Sequence, residues 1–67
     1  MTVLDKNGKE IHAGMHVIMP EPNETDIWNF GGFVPYVNDV NDDGTIIVED
    51  GDSDFFQVEG SRVEIAE

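Results

Sequence analysis

Turn-forming residues recur along the whole chain at intervals too short for an ordinary helix. They are Asn7-Gly8, Gly14, Pro20 to Pro22, Gly31-Gly32, Asp43-Gly44, Asp50-Gly51 and Gly60. Glycine supplies the positive φ that tight turns need, and proline ends helices, so each of these sites interrupts regular structure. The spacing therefore predicts an all-β chain made of short strands.

The segments between the turns are rich in Val, Ile, Phe and Thr, which favour strands. Predicted strands lie at Val3-Leu4, Met15 to Met19, Phe33 to Val40, Thr45 to Glu49, Asp54 to Val58 and Arg62 to Ile65. Alternation with a period of two gives each strand one apolar face. The residues predicted to face the core include Met15, Val17, Met19, Ile46, Val48, Phe56 and Val58, which leaves Phe55 on the outer face of its strand.

The connections between these strands are of two kinds. Asp43-Gly44 and Asp50-Gly51 are hairpin dipeptides and predict a three-stranded antiparallel meander. Residues 20–32, "PEPNETDIWNFGG", form a single long acidic loop. Long loops on a small scaffold often carry function, so this loop is the first place to expect a binding surface.

The length of 67 residues allows one domain, residues 1–67, with a small core. There is no cysteine, so neither a disulfide nor a Cys-based zinc site supports the fold, and no cofactor is expected. With 39% hydrophobic residues, folding must depend on apolar packing. Many short strands protect their edges best by curling, so we expect about five or six antiparallel strands in one small barrel.

The formal charge is -12, from 15 acidic and three basic residues. Such a chain repels phosphate backbones and anionic lipids, so we expect neither direct nucleic-acid binding nor membrane association. The N-terminus lacks a basic segment followed by an apolar run, and no stretch is apolar enough to span a membrane, so we expect a cytoplasmic protein. The acidity either serves a partner or only keeps the protein soluble.

The order of these elements resembles an SH3-like barrel, and the nearest pattern is that of small KOW-type and related bacterial domains. The matching pieces are Gly14 to Val17, Asp43 to Val48 and Arg62-Val63. The chain is also similar to uncharacterised small acidic bacterial proteins. The resemblance implies a fold but not a function, because RNA-binding KOW-type domains have basic loops and this chain offers only Lys6, Lys9 and Arg62.

Asp50, Asp52 and Asp54 are spaced like the first three ligands of a calcium loop. Phe55 and Ser61 stand where that loop needs Gly and Glu, so a hairpin turn is the better interpretation and a weak calcium site is the alternative. His12 and His16 would lie about 13 Å apart on a strand, too far to share a metal.

Catalysis is not expected. Ser53 and Ser61 have no nucleophile motif or adjacent base. A barrel of this size also lacks the roughly 300 Å³ that a substrate pocket usually occupies.

The leading hypothesis is a non-enzymatic module that binds a protein partner with a basic surface. Its candidate contact residues are Trp28, Tyr36, Phe55, Glu24 and Asp26. The alternative for Trp28 is that it closes one end of the barrel as part of the core.

A second hypothesis is a DNA mimic, whose carboxylates imitate phosphates on a DNA-binding partner. The row of acids that would serve it comprises Glu21, Glu24, Asp26, Asp39, Asp42 and Asp43. The sequence leaves the oligomeric state open.

Overall fold

The computed structural model describes residues 2–29, 32–51 and 54–66. It contains five strands, β1 Val17–Ile18, β2 Tyr36–Val40, β3 Thr45–Glu49, β4 Phe55–Glu59 and β5 Glu64–Ile65, with a 3₁₀ turn at Gly60–Arg62. The described residues contain no α-helix. The prediction of an all-β fold is therefore confirmed.

Strands β2, β3 and β4 form the predicted antiparallel meander. Gly44 and Gly51, the glycines of the two Asp-Gly dipeptides, have φ of 90° and 95°, which only glycine adopts without strain. The β2–β3 register shifts between Val37 and Asp39, where one extra residue bulges from β2.

Strand β1 pairs with β5 in a second antiparallel sheet and also approaches the start of β2. The Val17 amide donates to the Pro35 carbonyl at 3.0 Å, and the Met19 amide to the Phe33 carbonyl at 3.0 Å. Strands β1 and β2 are both shorter than predicted. Pro35 has no N–H and cannot continue a regular ladder of hydrogen bonds between them. Backbone hydrogen bonds thus connect the strands in the spatial order β5, β1, β2, β3, β4.

The predicted barrel does not close. Strands β4 and β5 are not paired within the described part of the chain, and the 3₁₀ turn connects them instead. Its Gly60 lies so close to Val3 that a Cβ atom there would overlap the valine side chain. The fold is accordingly two antiparallel sheets of two and three strands.

The N-terminal segment is a narrow hairpin rather than a strand. Leu4 forms an isolated bridge with Glu10, and the Ile11 amide donates to the Val3 carbonyl at 2.8 Å. The turn at Asn7-Gly8 follows so soon after Val3 that only a few pairs fit. The hairpin lies against β5, since the Lys6 amide donates to the Val63 carbonyl at 2.8 Å.

Asp5 is the one buried charged side chain among the described residues, at 4% exposure. Its Oδ1 accepts the amides of Asn7 and Lys9, at 2.9 and 2.8 Å, and its Oδ2 accepts the Ile65 amide at 3.0 Å. Burial raises the pKa of Asp5, but these three N–H donors together with the charge of Lys9 lower that pKa by more. Asp5 therefore ties the hairpin turn to β5 as an ionised carboxylate.

The core confirms the predicted alternation except at Met15, which is only partly buried and lies outside the core cluster. Its buried apolar residues are Val3, Ile11, Val17, Met19, Trp28, Val37, Ile46, Val48, Val58 and Val63, with Phe33, Val40, Phe56 and Ile65 partly buried against them. Phe55 is 51% exposed on the opposite face of β4 from Phe56, as the pattern predicts.

Candidate functional site: an aromatic and acidic cleft

A cleft of about 160 Å³ lies between the long loop and the β3–β4 hairpin. The loop and the segment before β2 contribute Ile27, Trp28, Asn29 and Phe33, and the hairpin contributes Asp50, Asp54 and Phe56. We call these seven residues the cleft. Its volume is well below the roughly 300 Å³ of a typical small-molecule pocket.

Three aromatic rings line the apolar part of the cleft. Phe56 meets Trp28 edge to face with ring centres 6.3 Å apart, and meets Phe33 in the same way at 5.9 Å. Such pairs are worth about 0.5–1.5 kcal/mol beyond their buried area. Phe56 is placed there by the inward phase of β4, so the sheet itself positions the centre of the cluster.

Two further contacts hold Trp28 against the body of the protein. Its indole N–H donates to the Pro20 carbonyl at 3.1 Å. The Arg62 guanidinium lies 5.6 Å from the ring centre, within cation–π distance. The long loop is thereby fastened to the 3₁₀ turn at its tryptophan.

Arg62 also binds an acid of the same loop. Its Nη2 lies 3.0 Å from Asp26 Oδ2 in a pair whose side chains are 23% and 12% exposed. The hydrogen bond from Arg62, assisted by the Asn23 amide, lowers the pKa of Asp26. The same bond raises the pKa of Arg62. Both groups stay charged, and the Asp26 carboxylate is bound by a residue of its own chain.

The rim of the cleft is acidic. Asp50 and Asp54 both line it, and the Asp50 amide donates to the Asp54 carbonyl at 3.3 Å, which holds the two ends of the hairpin together. No lysine or arginine is among the lining residues that the structure describes. Aromatic rings and carboxylates both attract cations, so the cleft is suited to a cationic side chain rather than an anion.

The structure brings together only part of the predicted contact set. Trp28 is 3% exposed and belongs to the core, so it is no free anchor. This agrees with the alternative that placed Trp28 in the core, although there is no closed barrel for it to cap. The Tyr36 hydroxyl donates to Glu49 at 2.5 Å, and this bond raises the pKa of Tyr36. Phe55 is exposed, but on the other face of β4 from the cleft, and Glu24 is exposed in the loop.

The sequence does not single out Ile27, Asn29, Phe33 and Phe56 as cleft residues. The phase of β4 predicts a core position for Phe56, and a partly buried core aromatic can also line a cleft. The adjacent Phe55 and Phe56, directly after an acidic turn, were the available signal, since they place an aromatic ring on each face of β4.

The positions of the candidate metal ligands that the structure describes give no support to a metal site. Asp52 and Ser53 lie outside the described residues, so the calcium loop is seen only through Asp50 and Asp54. Within residues 2–29, 32–51 and 54–66, no three His, Asp or Glu side chains are grouped to hold a metal ion. His12 lies 3.6 Å from Glu10, whereas His16 packs against the Tyr36 ring.

Three of the six acids in the proposed DNA-mimic row form hydrogen bonds within the chain. Asp43 Oδ1 accepts the amide and hydroxyl of Thr45 at 3.0 and 2.6 Å, which lowers the pKa of Asp43. Asp39 Oδ1 accepts the Val40 amide at 2.9 Å, and Asp26 binds Arg62. Each of these three acids is therefore engaged in a contact within the chain.

Comparison with protein-family models, curated proteins and solved structures finds no match to this chain. None of the helical structure in the described residues is long and apolar enough to cross a membrane.

Proposed function

We propose that this protein is a non-enzymatic binding module that accepts a cationic side chain from a basic segment of a partner protein. The observation that carries the proposal is the cleft, where Trp28, Phe33 and Phe56 are joined by the carboxylates of Asp50 and Asp54. Because the Trp28 ring is buried and already carries Arg62, the partner's ammonium or guanidinium group lies over the rings of Phe33 and Phe56. Such a contact gains about 0.5–2 kcal/mol, depending on how far the cation is desolvated.

The proposed architecture of the module is an SH3-like barrel with an open seam. Support comes from the order of elements: a strand, a long loop, a meander, a 3₁₀ turn and a final strand. The long loop then serves as a wall of the binding cleft, held at Trp28 and Asp26 by Arg62.

The overall charge of -12 complements a basic partner. A field of this sign raises the association rate with a cationic segment and loses its effect as salt screens it. The cleft supplies what a diffuse field lacks, namely a fixed point at which one cation is recognised.

The test uses Trp28, the only tryptophan of the chain, as a fluorescent reporter inside the cleft. Titration with heptalysine should change its emission, and affinity should fall as salt rises. Asp54→Asn should weaken binding by about two- to tenfold because it removes a carboxylate from the rim. Phe56→Leu, which keeps an apolar side chain without the ring, should weaken binding by about three- to tenfold.

Asp42→Asn is the matched control. Asp42 is exposed in a turn and is not part of the cleft lining, so the substitution removes the same charge elsewhere. If Asp42→Asn weakens binding as much as Asp54→Asn does, the attraction is a general effect of net charge and the cleft is not the site.

A further inference from the structure

Strand β4 is an outer strand, and within the described residues no hydrogen bond joins its free edge to another segment. It pairs with β3 on one side and ends the sheet. The other outer strand, β5, is covered by the N-terminal hairpin, through the bond from Lys6 to Val63 and the bond from Ile65 to Asp5. The far side of β2 is bonded to residues 15–17.

The β4 edge also lacks the usual protection of an exposed strand. Its sequence, "FFQVE", contains no proline and no lysine, and its one charge is the terminal Glu59. Five residues span about 17 Å, enough for several backbone hydrogen bonds to an added strand. Phe55 is 51% exposed on its outer face.

From this edge we infer that the partner's basic segment binds as an extended strand added alongside β4. The inference rests on the proposed function for the identity of the occupant, and it adds the mode of binding. Strand addition gives affinity through main-chain hydrogen bonds and specificity through alternate side chains.

The net charge of the chain favours a basic partner over a second copy of the chain at the β4 edge. Two copies would bring charges of -12 together along an edge flanked by Asp54 and Glu59. A basic strand instead meets these acids as an oppositely charged partner.

The cleft and the edge share β4, and this sets the pattern of the segment that fits. Residues directly opposite each other on paired strands have Cβ atoms about 4.5–5.5 Å apart and point to the same face. The partner residue opposite Phe56 therefore points to the face on which Phe56 lines the cleft, and there a basic side chain fits. Its neighbours point to the face of Phe55, and there apolar side chains fit. The expected segment alternates basic and apolar residues.

Two capped nonapeptides of equal charge test this inference. One alternates Lys and Val, and the other alternates Lys and Pro, which lacks the N–H needed for strand pairing. The Lys-Val peptide should bind at least about tenfold more tightly, the equivalent of one or two net hydrogen bonds. In amide NMR spectra, it should shift the β4 amides and slow their hydrogen exchange, while the Lys-Pro peptide should not.

A pair of variants tests the outer face. Phe55→Ser should weaken binding of the Lys-Val peptide, whereas Val34→Ser, at a side chain exposed to a similar 49%, should leave the affinity unchanged. Equal weakening by the two variants would overturn the assignment of Phe55 to the interface.

These experiments distinguish a failure of strand addition from a failure of the proposed cleft. If both peptides bind equally and both lose affinity in Asp54→Asn, strand addition is wrong and the cleft stands. If the Lys-Val peptide protects β4 amides but ignores Asp54→Asn and Phe56→Leu, the edge stands and the cleft fails. If the protein alone sediments as a dimer with protected β4 amides, a second copy occupies the edge and the inference is overturned.

Discussion

The Arg62 guanidinium lies 5.6 Å from the centre of the Trp28 ring, so one of the chain's three basic side chains rests on its only tryptophan. The same guanidinium bonds Asp26 at 3.0 Å. A single residue of the 3₁₀ turn thus holds both the aromatic and the acidic part of the long loop. These two contacts of Arg62 hold in position the part of the long loop that forms one wall of the cleft.

Replacing Arg62 by methionine should therefore destabilise the fold by about 1–3 kcal/mol, because a partly buried Asp26 loses its partner and Trp28 loses its cation. For a domain of this size each kcal/mol lowers the melting temperature by about 4–8 °C. The emission of Trp28 should change in the folded variant as well.

Lys6→Met is the control for that substitution. Lys6 pairs with Glu64 at 3.1 Å, but the two side chains are 53% and 41% exposed. Exposed pairs contribute about 0–1 kcal/mol. Equal losses from Lys6→Met and Arg62→Met would show that burial of the Arg62 pair does not matter.

The buried carboxylate of Asp5 gives a second prediction. Asp5→Ala leaves the amides of Asn7, Lys9 and Ile65 without their acceptor, which should cost about 2–4 kcal/mol of unfolding free energy measured in urea. Asp5→Asn should be intermediate, because one of its two side-chain acceptors becomes a donor. A loss below about 0.5 kcal/mol for Asp5→Ala, a typical surface value, would mean that water replaces the carboxylate at little cost.

Acid should unfold the protein over a defined range. The pKa values of Asp5, Asp26 and Asp43 are all lowered in the folded chain. A lowered pKa contributes stability that is present above the unfolded value, 3.8 for Asp, and is lost as pH falls through the folded value. Stability should therefore fall below about pH 4, and less steeply in Asp5→Ala. Melting curves from pH 7 to pH 2 test this, and an unchanged slope in the variant would contradict the role of Asp5.

The meander could be predicted from sequence because its signals are local. Two Asp-Gly turns fix the hairpins, and alternation in "TIIVE" places Ile46 and Val48 inside. The cleft could not be predicted in this way. It depends on how the long loop folds back to bring Trp28 against Phe56 and Arg62, and no periodicity encodes contacts between segments so far apart in the chain.

The roles of the individual acidic residues could not be predicted from the sequence for the same reason. Composition gives the charge of -12 but not the use of each carboxylate. Asp5 serves the hairpin turn, Asp26 the loop clamp and Asp43 its own turn, while Asp50 and Asp54 face the cleft. Of these five acids, only Asp50 and Asp54 line the cleft.

The net charge should make stability depend on salt. Carboxylates crowded on so small a surface repel one another, and raising the ionic strength from about 0.01 M to 0.15 M shortens the Debye length from about 30 Å to 8 Å. The melting temperature should therefore rise with sodium chloride at pH 7. It should also rise on mild acidification toward about pH 5, before the loss described above begins.

Glu24→Gln isolates this effect, because Glu24 is exposed and removing its charge relieves repulsion without breaking a described contact. The variant should melt at a higher temperature than the parent in low salt, and the difference should shrink as salt is added. A difference that persists at high salt would instead indicate a local role for Glu24 in the long loop. A parent melting temperature that is the same at both ionic strengths would contradict the repulsion argument altogether.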